Sequence, residues 1–323
     1  MTRSVGDPGF LRPLLVPLVV LALALNSLLV AGETVLLGGL TLLPDGTIAE
    51  GLAVVIGDDG KITRVLPVAE AGEGTRRTLP AGSVLSPGLH DLLGGFAGGE
   101  GVERTHLFDP RARAVEAIDP TQETLSLARK SGVLHATVAP SAVNLVNGRT
   151  VTFICNTAET LAVLAEGPQV LALGESVFDP MREPTSRSGA LLRLRQWLSS
   201  EAGERLLGEP LPPLVYCLEA TDLRQVLSLF KGKPLPVLVH RGDARSSAGR
   251  WCRGALTVVG PFTVSTSGAE AMVCSRFQRA GAEIAFAGGL PGMAADSLRR
   301  TAAIAVSAGL DPAAARRGLT INP

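Results

Sequence analysis

The side chains that could bind a metal ion or move a proton follow short apolar runs. Residues 86–95, SPGLHDLLGG, place His90 and Asp91 directly after the apolar run 79–85. Residues 234–243, PLPVLVHRGD, place His240 at the end of an apolar run, with Asp243 three residues later. A histidine with a carboxylate nearby to orient it is typical of metal sites and of proton transfer. Of these two strand ends, the one at His240 is the first candidate for a site, because Asp243 could orient the histidine.

Two further candidates are His135, inside VLHATV, and Glu175, which closes VLALGE. A lone strand histidine is more often a hydrogen-bonded core or rim residue than a ligand. Glu175 would face the mouth of a pocket, or it would be a loop carboxylate paired with an arginine. Cys217 and the serines at 246 and 247 form no nucleophile–base pair that the sequence supports.

Two kinds of element must position these residues. Residues 34–84 consist of short apolar runs joined by Asp-Gly turns at 45–46 and 59–60, which predicts hairpins and a small β-domain. After residue 85 apolar runs alternate with amphipathic segments, among them predicted helices at 123–132 and 157–167. This alternation predicts an α/β fold with a parallel sheet covered by helices.

Composition excludes several classes of function. The 323 residues carry 30 basic and 30 acidic side chains, so there is no charge-based reason to expect a nucleic-acid partner. Aromatic residues make up 4%, too few for a stacking platform. The four cysteines form no C-x-x-C pair; we expect buried apolar side chains, with a Cys252–Cys274 disulfide as the alternative.

Residues 1–32 have the pattern of a secretory signal peptide. Arg3 and Arg12 precede an apolar stretch at 14–25, and small residues follow at Ala31 and Gly32. We expect cleavage after Gly32 and an exported mature chain, periplasmic or extracellular. The alternative is an uncleaved membrane anchor, since residues 14–31 are just long enough to cross a bilayer.

Three stretches in order resemble the amidohydrolase superfamily, in particular its imidazolonepropionase-like branch. They are residues 59–91, which include LPAGSVLSPGLHD, residues 117–148, and residues 277–323, which end in TINP. The resemblance covers roughly residues 33–323. It implies a TIM-like (β/α) barrel at 85–323 with a small N-terminal β-domain at 33–84. It also implies metal-assisted hydrolysis of non-peptide C–N bonds, as in cyclic amides or amidines.

The ligand positions implied by this resemblance are mostly lost. The two first-strand histidines fall on Leu93 and Gly95, the bridging lysine on Val170 and the last-strand aspartate on Gly289. Only His240 is retained. His90 falls on an apolar position of the motif, so strand alternation should aim it away from the pocket.

The barrel also should lack one βα unit. Only 17 residues, 241–257, separate His240 from the next apolar run, whereas a βα unit needs about 30. We expect a gap there with two exposed strand edges, an apolar seam covered by Trp251 and used by a partner or for self-association.

The sequence therefore favours a non-catalytic pseudoenzyme, a binding or assembly partner, with no cofactor. The alternative is a residual hydrolase with a zinc ion at His240 and Glu175 or Asp243. Membrane attachment would arise only through an uncleaved N-terminal segment.

Overall fold

The structure is a computed structural model that describes residues 33–98, 103–240 and 251–323. The predicted signal segment and Asp243 lie outside these residues. Contacts divide the described chain into two compact units. The first comprises residues 33–43 and 48–86, and the second comprises residues 44–47 and 87–323.

The first unit consists of short strands in two sheets. Its strands are β1 (Thr34–Leu37), β2 (Leu40–Leu42), β3 (Ile48–Glu50), β4 (Leu52–Ile56), β5 (Ile62–Pro67), β6 (Thr75–Thr78) and β7 (Val84–Leu85). The sheet orders are β5-β4-β1-β6 and β3-β2-β7. The predicted turn at 59–60 joins β4 to β5, where Gly60 has a φ of +76° and Asp59 accepts a hydrogen bond from the Lys61 amide. Val35, Ala53 and Val55 form the core of this unit.

The second unit is a nearly closed eight-stranded barrel, as the sequence predicted. Its strands are β8 (Leu89–Gly94), β9 (Val133–Val138), β10 (Val146–Ile154), β11 (Val163–Ala172), β12 (Leu214–Tyr216), β13 (Val237–Val239), β14 (Leu256–Val259) and β15 (Glu283–Phe286). They lie side by side in chain order. Seven run in one direction, and only β10 is antiparallel to its neighbours.

Helices cover the outside of this sheet. They are α1 (Glu123–Lys130), α2 (Arg187–Leu198), α3 (Glu201–Leu207), α4 (Ala220–Leu229), α5 (Gly268–Ala271), α6 (Val273–Arg279), α7 (Ser297–Ser307) and α8 (Pro312–Thr320). Several begin at side-chain caps, for example Ser186 before α2 and Asp311 before α8, which satisfy amides that the first turn leaves free. Within the described ranges, no helix combines the length and the apolar character needed to cross a membrane.

Strand alternation separates two apolar cores. One fills the barrel interior and contains Val170, Leu214, Val239, Val258, Ala285 and Ala287. The residues between them on the same strands, such as Leu171, Val215 and Leu238, pack in the larger core with the helices. Successive side chains along a strand therefore lie on opposite sides of the sheet, one in the interior and the next against the helices.

The helix predicted at 157–167 is wrong. Residues 163–172 form β11, which pairs antiparallel with β10 from Val146↔Leu171 to Phe153↔Val163. The apolar run VTFIC lies in and just after β10 and is buried at Val151, Phe153 and Cys155. Pairing with this strand overrides the helical spacing of the segment, because a tertiary partner outweighs a weak intrinsic propensity.

The gap expected after His240 is also absent. β13 and β14 are direct parallel neighbours, with Leu238↔Thr257 and Val239↔Val258 in register. The barrel has eight strands because the antiparallel β10 stands among seven parallel ones. The parallel set is thus one βα unit short of eight. Trp251 is 39% exposed, and residues 241–250 lie outside the described chain.

The ends of the sheet, β8 and β15, meet through a side chain. Asp91 on β8 is fully buried, and its Oδ1 accepts hydrogen bonds from the Gly288 amide at 2.9 Å and the Leu93 amide at 3.2 Å. The Gly95 amide donates to the Leu290 carbonyl at 2.5 Å. Asp91 thus connects the first strand to the chain just after the last one.

Replacing Asp91 separates this bridging role from its charge. In Asp91→Ala the Gly288 and Leu93 amides lose their acceptor, and each orphaned buried donor costs about 1–3 kcal/mol. In Asp91→Asn the side-chain oxygen still accepts. We expect urea denaturation at pH 7 to give Asp91→Ala an unfolding free energy at least about 2 kcal/mol below that of Asp91→Asn. Equal stabilities of the two variants would contradict the bridging role.

Candidate functional site

Two of the implied ligand positions are part of the apolar barrel interior. Val170 is fully buried there and pairs with Leu214. Leu93 contacts the same cluster. A register shift in the pairing of β8 with β9, between Asp91 and Gly94, marks a bulge that sets two residues, 92 and 93, against one on β9. Leu92 and Leu93 both reach the interior in this way. Neither Leu93 nor Val170 has an atom that can bind a metal ion.

The other two lost positions are glycines in tight surroundings. A Cβ on Gly289 would lie 2.9 Å from Cγ of Pro261 and 2.9 Å from Cγ of Met293, and the φ of Gly289 is +72°. An aspartate there would therefore strain the backbone and clash with the proline ring. A Cβ on Gly95 would lie 3.2 Å from the Leu290 carbonyl oxygen, a close but less restrictive contact.

His240, the retained ligand position, lies on the helix side of the sheet. It is 1% exposed, and its Nδ1 is 2.6 Å from the Cys217 carbonyl oxygen. Its ring contacts that of Phe277 on α6 edge-on, with the centroids 5.5 Å apart. It has the parity of Leu238, whose side chain belongs to the helix-side core. The imidazole is thus packed against the ring of Phe277 and hydrogen-bonded to a backbone carbonyl oxygen.

Glu175 lies in a short 3₁₀ turn, Glu175–Val177, and is exposed. The nearby basic group is Arg187, which donates to the buried Asp222 at 2.6 Å and to Glu219 at 2.8 Å. These bonds raise the pKa of Arg187, Asp222 most strongly, and the charge of Glu175 adds to the effect. Glu175 therefore lies near an arginine that already pairs with two other carboxylates.

His135 lies beside a hydrogen-bonded chain of polar side chains in the barrel. The Nε2 atom of His90 is 2.7 Å from Oγ1 of Thr137, which is 2.7 Å from Oγ1 of Thr152. The rings of His90 and His135 are 6.0 Å apart between centroids. Their strands pair with these two residues in register, so both histidines are on one face of the sheet.

That face is the interior one, because Ala139, two residues after Thr137, contacts the interior cluster. The expectation that His90 points away from the barrel is therefore wrong. Strand alternation was counted from the motif of the resembling family, in which position 93 points inward, whereas the β8 bulge turns both Leu92 and Leu93 inward and so reverses the parity of the residues before it. A shift of one residue moves every side chain beyond it to the other face.

Two neighbouring groups of β8 have strongly shifted pKa values. Burial, and next the charge of His135, lower the pKa of His90 to about 4, so its imidazole is neutral at pH 7. Burial raises the pKa of Asp91 to about 6, against the smaller lowering effect of its backbone hydrogen bonds. Sequence reasoning did not identify either residue as part of a site. A signal was present in the sequence. His90 and Asp91 stand between apolar residues, and a strand that packs on both faces buries one of the two polar side chains on each face.

A metal ion of the kind implied by the resemblance does not fit these residues. A zinc site needs three or more protein ligands that converge. Among the described residues, no group of three or more His, Cys, Asp or Glu side chains could hold a metal ion. Leucine, valine and two glycines stand at the lost positions, and His240 faces the helices. The described part of the barrel provides apolar packing and a hydrogen-bonded histidine–threonine chain instead.

His90 and Asp91 should oppose each other in the pH dependence of stability. The raised pKa of Asp91 means that its contribution to stability is lost as pH rises from about 4 to 6. The lowered pKa of His90 means that stability is lost as pH falls from about 6.5 to 4. Each contribution is on the order of a few kcal/mol, and the two have opposite signs, so they oppose each other in the wild type.

Single substitutions should expose each contribution. In Asp91→Asn only the effect of His90 remains, so the unfolding free energy of this variant should fall as the pH is lowered from 6.5 to 4.5. His90→Gln leaves the effect of Asp91, so its unfolding free energy should rise over the same change. Urea denaturation at the two pH values checks this, and pH slopes of the same sign in both variants would contradict it.

Comparisons with known proteins give a likeness in structure alone. No protein-family model matches the sequence, and no curated protein matches it. Among solved structures, the chain is similar to an amidohydrolase from Thermotoga maritima, with a TM-score of 0.74, 18% identity and coverage of 90% of this chain and 87% of that one. It is also similar to a putative prolidase from Bifidobacterium longum, with a TM-score of 0.53, 13% identity and coverage of 90% and 83%. This chain therefore has the amidohydrolase fold, a TIM-like barrel with a small N-terminal β-domain.

Proposed function

We propose that this protein is a non-catalytic relative of the amidohydrolases, a pseudoenzyme that acts by binding another protein. One observation carries the proposal. The residues at the lost ligand positions are built into the packing, since Leu93 and Val170 contribute to the interior core. Gly289 leaves no room for a side chain beside Pro261. Restoring a metal site would therefore require changes to the packing as well as to the ligands.

The competing function is residual metal-dependent hydrolysis of a non-peptide C–N bond at His240. With Glu175 as the second ligand, it would need His240 to turn from the Cys217 carbonyl and from Phe277; Asp243, the other candidate ligand, lies outside the described residues. Such a rotation exchanges a buried hydrogen bond for a new rotamer in a packed core, which is costly. This argument favours the pseudoenzyme over the hydrolase.

We further propose that the protein is exported and that its partner is another protein or a second copy of the chain. The basic start and the apolar stretch at 14–25 support export. The near-neutral charge gives no reason for binding nucleic acid. The loss of catalytic groups on a retained fold supports a role in binding, since a fold is separable from the chemistry of its site.

Metal content distinguishes pseudoenzyme from hydrolase. Purified protein incubated with Zn²⁺ and then desalted should retain less than about 0.1 zinc per chain by elemental analysis. His240→Ala should leave this value unchanged, and the exposed His106→Ala is the matched control. About one zinc per chain, lost in His240→Ala but kept in His106→Ala, would overturn the proposal and support the hydrolase.

Export has a separate test. Expression of the full chain with a C-terminal tag should give a soluble exported product that begins near residue 33, because the segment before it is removed. Deletion of residues 2–32 should leave the product in the cytosol. Full-length protein in the membrane fraction, with an intact N-terminus, would instead support the anchor.

A further inference from the structure

A small cavity lies on the flank of the barrel, away from the residues discussed so far. Its volume is about 240 Å³, and it lies between residues 110–115 and the β10–β11 hairpin. The polar and charged residues that line it are Arg111, Arg113, Arg149, Thr150 and Glu166. The segment is pressed closely against β10, since a Cβ on Gly148 would lie 1.6 Å from the Ala112 carbonyl oxygen. The cavity is therefore built from fixed backbone on both sides.

Positive charge exceeds negative charge in this cavity. Three arginines line it and one carboxylate, Glu166. Arg113 donates to Glu166 at 2.5 Å, and Arg149 pairs with Glu209 outside the lining. Arg111 is exposed and makes no hydrogen bond or ion pair with the described residues. Its guanidinium is thus available with all its donors to a ligand.

A buried hydroxyl in the cavity wall supplies an independent observation. Thr150 is 1% exposed, and its Oγ1 has no hydrogen-bond partner among the described residues. This oxygen lies over Gly167, next in sequence to Glu166, so closely that a Cβ there would be 2.2 Å from it. Buried polar atoms without partners are rare in folded proteins, so Thr150 marks a polar position in the cavity wall.

The existing ion pairs are weak obstacles to a ligand. The side chains of Arg113 and Glu166 are 54% and 52% exposed, and exposed pairs of this kind contribute little to stability. Exchange of Glu166 for another oxyanion at Arg113 therefore costs little. The volume is below the range of about 300–1,000 Å³ that is usual for drug-sized ligands. It suits a small anion.

We propose that this cavity, the arginine cavity, binds a small oxyanion such as a phosphate or a compact di- or tricarboxylate. Arg111 and Arg113 hold its oxygens, in the paired geometry that guanidinium groups form with carboxylate and phosphate. Glu166 is displaced toward solvent. The binding involves no bond cleavage and is independent of the lost metal positions.

Binding is tested on the full mature chain, with inorganic phosphate and citrate as separate probes. Each is titrated to about 20 mM at constant ionic strength, with chloride as the reference, and thermal stability is measured. A saturable increase in melting temperature is expected for at least one probe. The preferred source of the oxyanion is the one that saturates at the lower concentration. No saturable increase with either probe would overturn the proposal.

Three substitutions locate the effect. Arg111→Ala should weaken binding at least about tenfold, because it removes charge-assisted hydrogen bonds. The matched control is Arg299→Ala, which removes another exposed arginine, on α7, that forms no ion pair with the described residues. Glu166→Gln should strengthen binding, because the competing carboxylate is gone.

Arg111→Ala should weaken binding and Glu166→Gln should strengthen it, a pair of opposite changes that a nonspecific effect would not produce. A general effect of phosphate on stability would be the same in all variants and would overturn the assignment. Binding that is lost equally in Arg111→Ala and Arg299→Ala would also overturn it. Zinc content decides the proposed function independently of either result.

Discussion

The barrel depends on one buried carboxylate. β8 and β15 are the two ends of the sheet order, and Asp91 joins them by accepting the Gly288 amide. Its second oxygen, Oδ2, has no partner among the described residues, and burial raises the pKa of the group to about 6. Burying a carboxylate is costly unless backbone amides compensate for the loss of water. The closure of the barrel is thus obtained at a cost in electrostatic energy.

The same strand shows how the ligand positions implied by the resemblance can hold other residues while the fold is kept. His90 and Asp91 remain as a polar pair that faces opposite sides of the sheet. Beyond them, the ligand position at 93 is a leucine in the interior core. Hydrophobic packing requires only an apolar side chain of suitable volume, whereas a metal site requires donors at fixed geometry. Substitution of ligands by apolar residues can therefore leave the barrel intact.

The sequence predicted the fold well where motifs in order supported it. The small β-domain and the barrel were recognised, and the lost ligand positions do fall in the barrel interior at Leu93 and Val170. It failed where the outcome depended on strand partners. β11 has helical spacing but pairs with β10, and His90 has the parity of an outward residue when counted from Leu93 but precedes the bulge at residues 92 and 93. Pairing partners and bulges are properties of the folded chain, so counting residues along one strand could not reveal them.

The candidate site shows the same limit. The retention of His240 was visible in the sequence, but its contact with Phe277 depends on which face of β13 meets α6. The arginine cavity was invisible for a similar reason. Arg111 and Arg149 are 38 positions apart in sequence, and they line one cavity because residues 110–115 lie beside β10.

The antiparallel strand β10 has a consequence for folding kinetics. A parallel neighbour must be reached through a crossover of a dozen residues or more, whereas β10 reaches β11 through the short segment between Ile154 and Val163. Contacts across this hairpin are therefore local in sequence, and local contacts lose less chain entropy when they form. A hairpin connection at this place, where a parallel strand would need a crossover, lowers the contact order of the barrel. This part of the sheet is thus suited to form early and to serve as a template for the parallel strands on either side.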